Sequence, residues 1–126
     1  MKTPLVFIPQ EPARLENNVW VPTMNLQAAE AYGQCVTLCS PGRVLLSTAP
    51  TIQAMRAKMA GFDDNDFIVA IGDPGLIGIA CCTAMLENQG RYKLLKWDGG
   101  NKRYTVVEVD MYHNQRPEDK EAANGN

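Results

Sequence analysis

The chain has 126 residues, 45% of them hydrophobic and 21% charged, with a formal net charge of −2. That length suits one domain with one real core, and the acidic balance excludes a generally basic nucleic-acid binder. No stretch reaches the roughly 18 apolar residues of a membrane span and no signal peptide opens the chain, so a soluble cytosolic protein is expected.

Leu5-Val6-Phe7-Ile8 reads as a short strand, apolar enough to be buried on both faces and ended by Pro9. Pro9 to Asn18 reads as loop, and Val19-Trp20-Val21 as a short edge strand before Pro22. Asn25 is placed to cap a short helix from Leu26 to Tyr32, stopped by Gly33; an irregular loop with Trp20 and Tyr32 as packing caps is the other reading. Gln34 to Cys39 is a strand broken by Ser40-Pro41-Gly42, with Arg43 to Leu46 continuing extended.

Ser47 or Thr48 then opens a helix from Pro50 to about Ala60, with Gly61 after its end. Ile52, Met55 and Met59 give that helix an apolar stripe. Arg56 and Lys58 lie on its flank as a solvated face, or as secondary phosphate contacts. Asp63-Asp64-Asn65-Asp66 lacks the alternating acids, glycine and distal glutamate of a calcium loop and reads as a turn. Phe67 to Ile71 is a central buried strand.

Gly72-Asp73-Pro74-Gly75 follows, and then a helix from Leu76 to about Asn88, with Asp73 as N-cap and Pro74 at its first position. The strand–turn–helix has the outline of a nucleotide-binding unit. Its glycines do not make G-x-G-x-x-G, no P-loop lysine is present, and Asp73 would repel a phosphate, so a structural turn is the plainer reading. Gly75 to Leu86 contains no charge. A helix apolar nearly all round needs cover on two sides; the sheet supplies one, and a second subunit is the expected other. A homo-oligomer, dimer or tetramer, follows.

The most informative stretch is Arg91 to Tyr104. It holds five of the twelve Lys and Arg residues, one acid and three of the nine aromatics. Arg91 to Asp98 and Arg103 to Met111 read as strands joined by turn residues Gly99 to Lys102. The turn sets the register: Trp97 faces Tyr104, Leu95 faces Val106, Lys93 faces Glu108 and Arg91 faces Asp110, each pair complementary. Tyr92, Leu94, Val107 and Val109 then form the core face, and the face carrying Trp97 and Tyr104 among cations is the exposed one; a one-residue slip would invert this.

Cations attract phosphate without reading sequence, and flat rings give unpaired bases a stacking surface. Together they point to single-stranded nucleic acid, with Arg91, Lys93, Lys96, Lys102 and Arg103 for phosphates and Trp97 and Tyr104 for stacking. Lys96 is the one residue of the set with a claim to the opposite face. The plainer reading is an amphipathic hairpin whose Trp–Tyr pair staples the turn. Residues 91–104 carry net +4, while 1–90 and 105–126 each carry −3. A basic patch on an acidic body binds with modest, salt-dependent affinity.

Residues 113–126 are polar and read as a disordered tail, leaving 1–112 as the folded domain. Cys35, Cys39, Cys81 and Cys82 contain no C-x-x-C and His113 is the single histidine, so no metal or other cofactor is expected. Adjacent Cys81 and Cys82 look like buried, reduced thiols. The element order suggests an α/β layered domain: a small mixed sheet, parallel central strands that include those from Cys35 and Phe67, two main helices and a C-terminal β-hairpin.

The run Asn65-Asp66-Phe67, Ile71-Gly72-Asp73-Pro74, Asn88-x-Gly90-Arg91-Tyr92-Lys93-Leu94-Leu95-Lys96-Trp97-Asp98, Arg103-Tyr104 and Val107-x-Val109, with Val6-Phe7-Ile8-Pro9-Gln10-Glu11-Pro12 at the start, resembles small accessory proteins of tailed bacteriophages. Among these it is similar to the Drc-like proteins of phages that package a virion RNA polymerase. The likeness spans about residues 5–110 and rests on a general pattern, with no catalytic signature. It implies a non-catalytic, single-stranded-DNA-binding oligomer of the infected host's cytoplasm, working with phage replication or transcription proteins; it supplies no individual contact residues. Two rival classes stand beside it. One is a protein-interaction module that inhibits or redirects a host enzyme through the apolar helix or acidic tail. The other is a nucleotide enzyme using the Gly72 to Gly75 loop, for which no nucleophile–base pair is visible.

Overall fold

Residues apolar on both sides of a strand belong at the centre of a two-faced sheet, and Val6, Phe7 and Ile8 take that place. The computed structural model describes residues 2–24, 26–42 and 48–119. Its elements run β1 (Leu5–Gln10), β2 (Ala13–Glu16), β3 (Val19–Pro22), a 3-10 helix (Gln27–Tyr32), β4 (Gln34–Cys39), α1 (Ala49–Lys58), β5 (Phe67–Val69), α2 (Pro74–Glu87), β6 (Arg91–Asp98) and β7 (Arg103–Asp110). The main sheet has the order β4-β1-β5-β6-β7. β1 is parallel to β4 and β5, β5 is parallel to β6, and β7 returns antiparallel. The protein is thus α/β with a mixed sheet, parallel at its centre and closed by the terminal hairpin.

Pro9 does not end β1, which continues to Gln10. Pro4 O accepts from Gln34 N on the β4 side, and Leu5 N donates to the Asp66 carboxylate on the β5 side. Alternation then turns Pro9 toward β5, where the paired register stops at Phe7 and Ile68. Its missing N–H is lost where no partner waits. The segment from Pro9 to Asn18 is likewise not all loop. β2 and β3 pair as a two-stranded ribbon, with Leu15 opposite Trp20 and the two-residue loop Asn17-Asn18 between them. Both asparagines have positive φ, 50° and 63°, which is the backbone of the hairpin turn that asparagine tolerates best.

Strand alternation sorts the core into two layers. Phe7, Leu38, Ile68, Met55, Met59, Phe62, Leu76, Ala80 and Ala84 pack on the face covered by α1 and α2. Val6, Ile8, Val69, Leu95 and Tyr104 pack on the other, with Ala29 of the 3-10 helix. Met55 and Met59 are fully buried as the stripe requires, and Ile52 is half-buried. Asp73 caps α2 through bonds from Gly75 N and Leu76 N at 2.7 and 3.4 Å, with Pro74 in the first turn. The outer stripe of α2 is left open: Gly75, Gly78, Cys82 and Leu86 are exposed, and Cys81 is only half-buried. Cys82 is therefore not the buried thiol expected of it, because helical rotation takes it away from Ala80 and Ala84.

The four-residue run of Asp and Asn after α1 is a turn built on one buried acid. Asp66 is fully buried and accepts from Leu5 N at 2.9 Å and Asp63 N at 3.0 Å while pairing with the Lys2 ammonium. The chain does not leave the domain at residue 112. Tyr112 packs on Gly90, where an added Cβ would lie 2.6 Å from its ring. Arg116 is buried and ties Asp110, Asp119 and the Gln89 carbonyl together. A buried guanidinium with two carboxylate partners holds the segment down, so residues 113–119 are not a free tail. Residues 120–126, Arg43 to Leu46 with the strand extension expected there, and the expected cap Asn25 lie outside the described residues.

Candidate nucleic-acid interface

The β6–β7 hairpin forms in the register its turn dictates. Trp97 stands opposite Tyr104, Leu95 opposite Val106, Lys93 opposite Glu108 and Arg91 opposite Asp110. What differs from expectation is the cover. The face carrying Leu95 and Tyr104 is not open: Leu95 is fully buried and Tyr104 is 6% exposed, beneath the 3-10 helix. Tyr104 meets Tyr32 edge-on at 6.4 Å and Trp97 at 5.1 Å. Burial, and to a lesser degree the neighbouring Cys35, raise its phenol pKa, and its hydroxyl has no hydrogen-bond partner among the described residues. Tyr104 is a core ring and offers no surface to a base. Conversely, Val107, assigned to the core face, is 37% exposed, because α2 reaches β6 but not the outer strand.

Tyr104 aside, the six other candidate residues divide into two groups whose nearest members, Lys93 and Lys96, stand about 10 Å apart along the strand at 3.3 Å per residue. Arg91 and Lys93 lie at the far end. They line a cavity of ≈ 430 Å³ together with Asp63, Asp64, Asp66, Glu108, Asp110 and His113. Arg91 pairs with Asp64 at 3.6 Å, and the Lys93 ammonium sits 4.2 Å over the Phe67 ring. Lys2 pairs with Asp63 and Asp66 and Arg116 with Asp110, so five carboxylates meet four cations here and the cavity carries no net positive charge to attract a phosphate. These two residues stabilise the hairpin base and do not join a basic patch.

The other group converges on the hairpin tip. Lys96, Trp97, Lys102 and Arg103 are all exposed, and none of the three cations makes an ion pair among the described residues. Lys96 and Arg103 project from the face opposite Trp97, and Lys102 stands in the turn with φ 53°. The nearby acid is already engaged: Asp98 accepts from Gly100 N at 3.0 Å, Asn101 N at 3.2 Å and Asn101 Nδ2 at 2.7 Å. The Asn101 bonds first, then the Gly100 amide, hold its carboxyl below the usual range. Asp98 therefore stays ionised opposite Arg103, and the tip carries three positive charges against one negative. Trp97 is 40% exposed and, with Met24, Gln27 and Ala28, lines a shallow apolar notch. A ring edge-braced by Tyr104 on one side and open on the other can take one base.

The remaining candidates are otherwise employed. Lys58 donates to the Thr37 and Leu38 carbonyls at 3.4 and 3.0 Å, and Arg56 is exposed with no ion pair among the described residues. The Gly72 to Gly75 loop lies at the switch point of the sheet, the place where a doubly wound order of strands leaves a crevice. Gln10 fills it. Its side-chain amide donates to Ser40 O at 3.2 Å and Gly42 O at 2.8 Å, and its Oε1 accepts from Asp73 N at 3.0 Å. Gly72, at φ +107°, is what lets the backbone approach, since a Cβ there would lie 2.6 Å from Gln10 Cβ. The sequence signal for this plug was a lone amide ending an apolar strand.

A family model described as "Phage Pam3 gp32-like protein" matches residues 4–111. No curated protein and no solved structure matches the chain.

Proposed function

The chain belongs to the phage Pam3 gp32-like family and is a bacteriophage protein, and on that premise we propose that it is a non-catalytic accessory protein that binds single-stranded DNA through the tip of its hairpin. The observation that carries this reading is the exposed Trp97 ring at a hairpin tip that also carries three cations without an ion pair among the described residues, Lys102 in the turn and Lys96 and Arg103 on the opposite face. The cations hold phosphates and the ring stacks on one base at a time, which makes binding sequence-tolerant. The acidic remainder of the chain keeps affinity modest and confines the strand to this end. Such a protein serves phage DNA replication, or transcription from melted promoters, in the cytoplasm of the infected bacterium. Absence of chemistry fits the plugged switch point, where Gln10 and Asp73 use the groups a nucleotide phosphate would need.

Fluorescence anisotropy of a labelled single-stranded oligonucleotide at low and moderate salt, with the duplex as control, tests the proposal. Binding to the single strand that weakens with salt and is lost in Trp97→Ala supports it. No binding at low salt, or equal binding by Trp97→Ala, refutes it.

A second reading rests on the uncovered outer stripe of α2, with Leu86 67% exposed and no charge from Gly75 to Leu86. In it the protein docks on a host enzyme and inhibits or redirects it. A single stoichiometric host protein retained by the wild type and lost with Leu86→Lys, in a chain that binds no DNA, favours that reading.

A further inference from the structure

The two edges of the main sheet are treated differently. β4, at one edge, is guarded: the Lys58 ammonium donates to the Thr37 and Leu38 carbonyls. A lysine over an edge blocks another strand from adding. β7, at the other edge, is eight residues long, contains no proline and pairs only with β6. Among the described residues no strand pairs with the outer side of β7 and no side chain is hydrogen-bonded to its backbone from Arg103 to Val109. Val106 and Val107 are 39% and 37% exposed, one on each face of the sheet. An open, β-branched edge is a template for another strand.

The charges along β7 say which strand. It begins with Arg103, directly after Lys102 of the turn, and ends with Glu108 and Asp110. Antiparallel pairing with a copy of itself brings the basic start of each strand to the acidic end of the other; parallel pairing would set like charge on like. Asp110 already holds Arg116, but Glu108 makes no ion pair among the described residues. We infer that a second copy of this chain pairs antiparallel along β7, joining two five-stranded sheets into one across a two-fold axis. That axis is perpendicular to the sheet and keeps every residue on its own face, so only residues of like face oppose one another. With Val106 on the axis it meets its own copy, Val107 meets Thr105, Lys102 meets Asp110, and Glu108 lies diagonal to Lys102. The inference stands independently of the nucleic-acid reading. If both hold, the two Trp97 rings share one face, and the two tips lie roughly 27 Å apart along the strand direction.

Sedimentation equilibrium over a wide concentration range gives the mass, expected at twice 13.9 kDa. Val106→Lys sets two ammonium groups against each other on the axis and is expected to give a monomer with an unchanged circular-dichroism spectrum. Should that variant misfold, Val106→Cys in a Cys82→Ser background decides. Residues opposed in an antiparallel pair stand about 4.5–5.5 Å apart, within disulfide reach, so mild oxidation is expected to give a covalent dimer. A wild type monomeric at every concentration, a dimer untouched by Val106→Lys, or a dimer that Val106→Cys cannot cross-link overturns the inference.

Discussion

Arg91 and Arg103 open the two strands of one hairpin and differ only in surroundings, so comparing them tests whether the basic patch is the tip alone. The tip offers three cations to a strand. With about −0.7 per phosphate for single strands, the logarithm of affinity should fall with the logarithm of salt at a slope of about −2. Between 50 and 200 mM salt that is a loss of about 18-fold. Arg103→Ala leaves two cations, a slope of about −1.4 and a loss of about 7-fold over the same range. Arg91→Ala removes a charge that faces Asp64 at 3.6 Å and Asp110 across the strand. Its slope should match the wild type, while its thermal midpoint falls because Asp64 loses its ion pair and Asp110, still held by Arg116, loses a neighbouring positive charge. The assay is anisotropy at four or more salt concentrations for the three proteins. Equal slope changes in Arg91→Ala and Arg103→Ala would sink the division of the hairpin into a basic tip and an acidic base.

The aromatic pair should separate in the same way. Trp97→Ala should weaken single-strand binding about 5- to 150-fold, the range of roughly 1–3 kcal/mol for one stacked base, with an unchanged urea midpoint. Tyr104→Ala should cost about 3–5 kcal/mol of stability as a large-to-small core change, read by urea unfolding. Tyr104→Phe removes a buried hydroxyl that has no partner among the described residues, so at neutral pH it should be neutral or stabilising by up to about 1 kcal/mol. The folded pKa of Tyr104 is raised, mainly by burial. The stability tied to its neutral form is therefore full below the unfolded value of about 10 and is lost as pH rises through the folded value. Urea midpoints at pH 8 and above 10 should fall less in Tyr104→Phe than in the wild type; Tyr92 and Cys81, also raised by burial, keep some loss in both. Gln10→Ala should destabilise by about 1–3 kcal/mol, since it strands the Ser40 and Gly42 carbonyls and the Asp73 amide; a nucleotide that then stabilises the variant but not the wild type would show that Gln10 occludes a site.

Local chemistry was readable where one residue decides one feature. Asp73-Pro74 specifies the start of α2, Gly99 to Lys102 specifies the hairpin turn, and the register of β6 on β7 follows from it without tertiary information. The β2–β3 ribbon was also written in the chain. Asn17-Asn18 between Arg14-Leu15-Glu16 and Val19-Trp20-Val21 is a two-residue hairpin loop, but two flanking prolines, Pro9 and Pro12, weigh toward loop in any local window. Pro9 itself shows why. Its effect depends on which neighbour its nitrogen faces, and the extent of β5 is a long-range fact.

Which face of the hairpin is open has the same character. Both faces carry apolar residues at alternate positions, and the register is silent on cover. α2 covers Tyr92 and Leu94 from one side, while the 3-10 helix covers Leu95 and Tyr104 from the other. The 3-10 helix reaches the end of the hairpin only with its first residues, Gln27 and Ala28, so Trp97 stays 40% exposed although its cross-strand partner is buried. The candidate site therefore shrinks from a face to a tip, and the shrinkage sharpens the chemistry. A long basic face would hold a strand by charge alone. One ring and three cations at the end of a hairpin make a small contact, and a small contact needs a second copy to hold a strand firmly. The open edge of β7, which lies beside that tip, is where the fold leaves room for one.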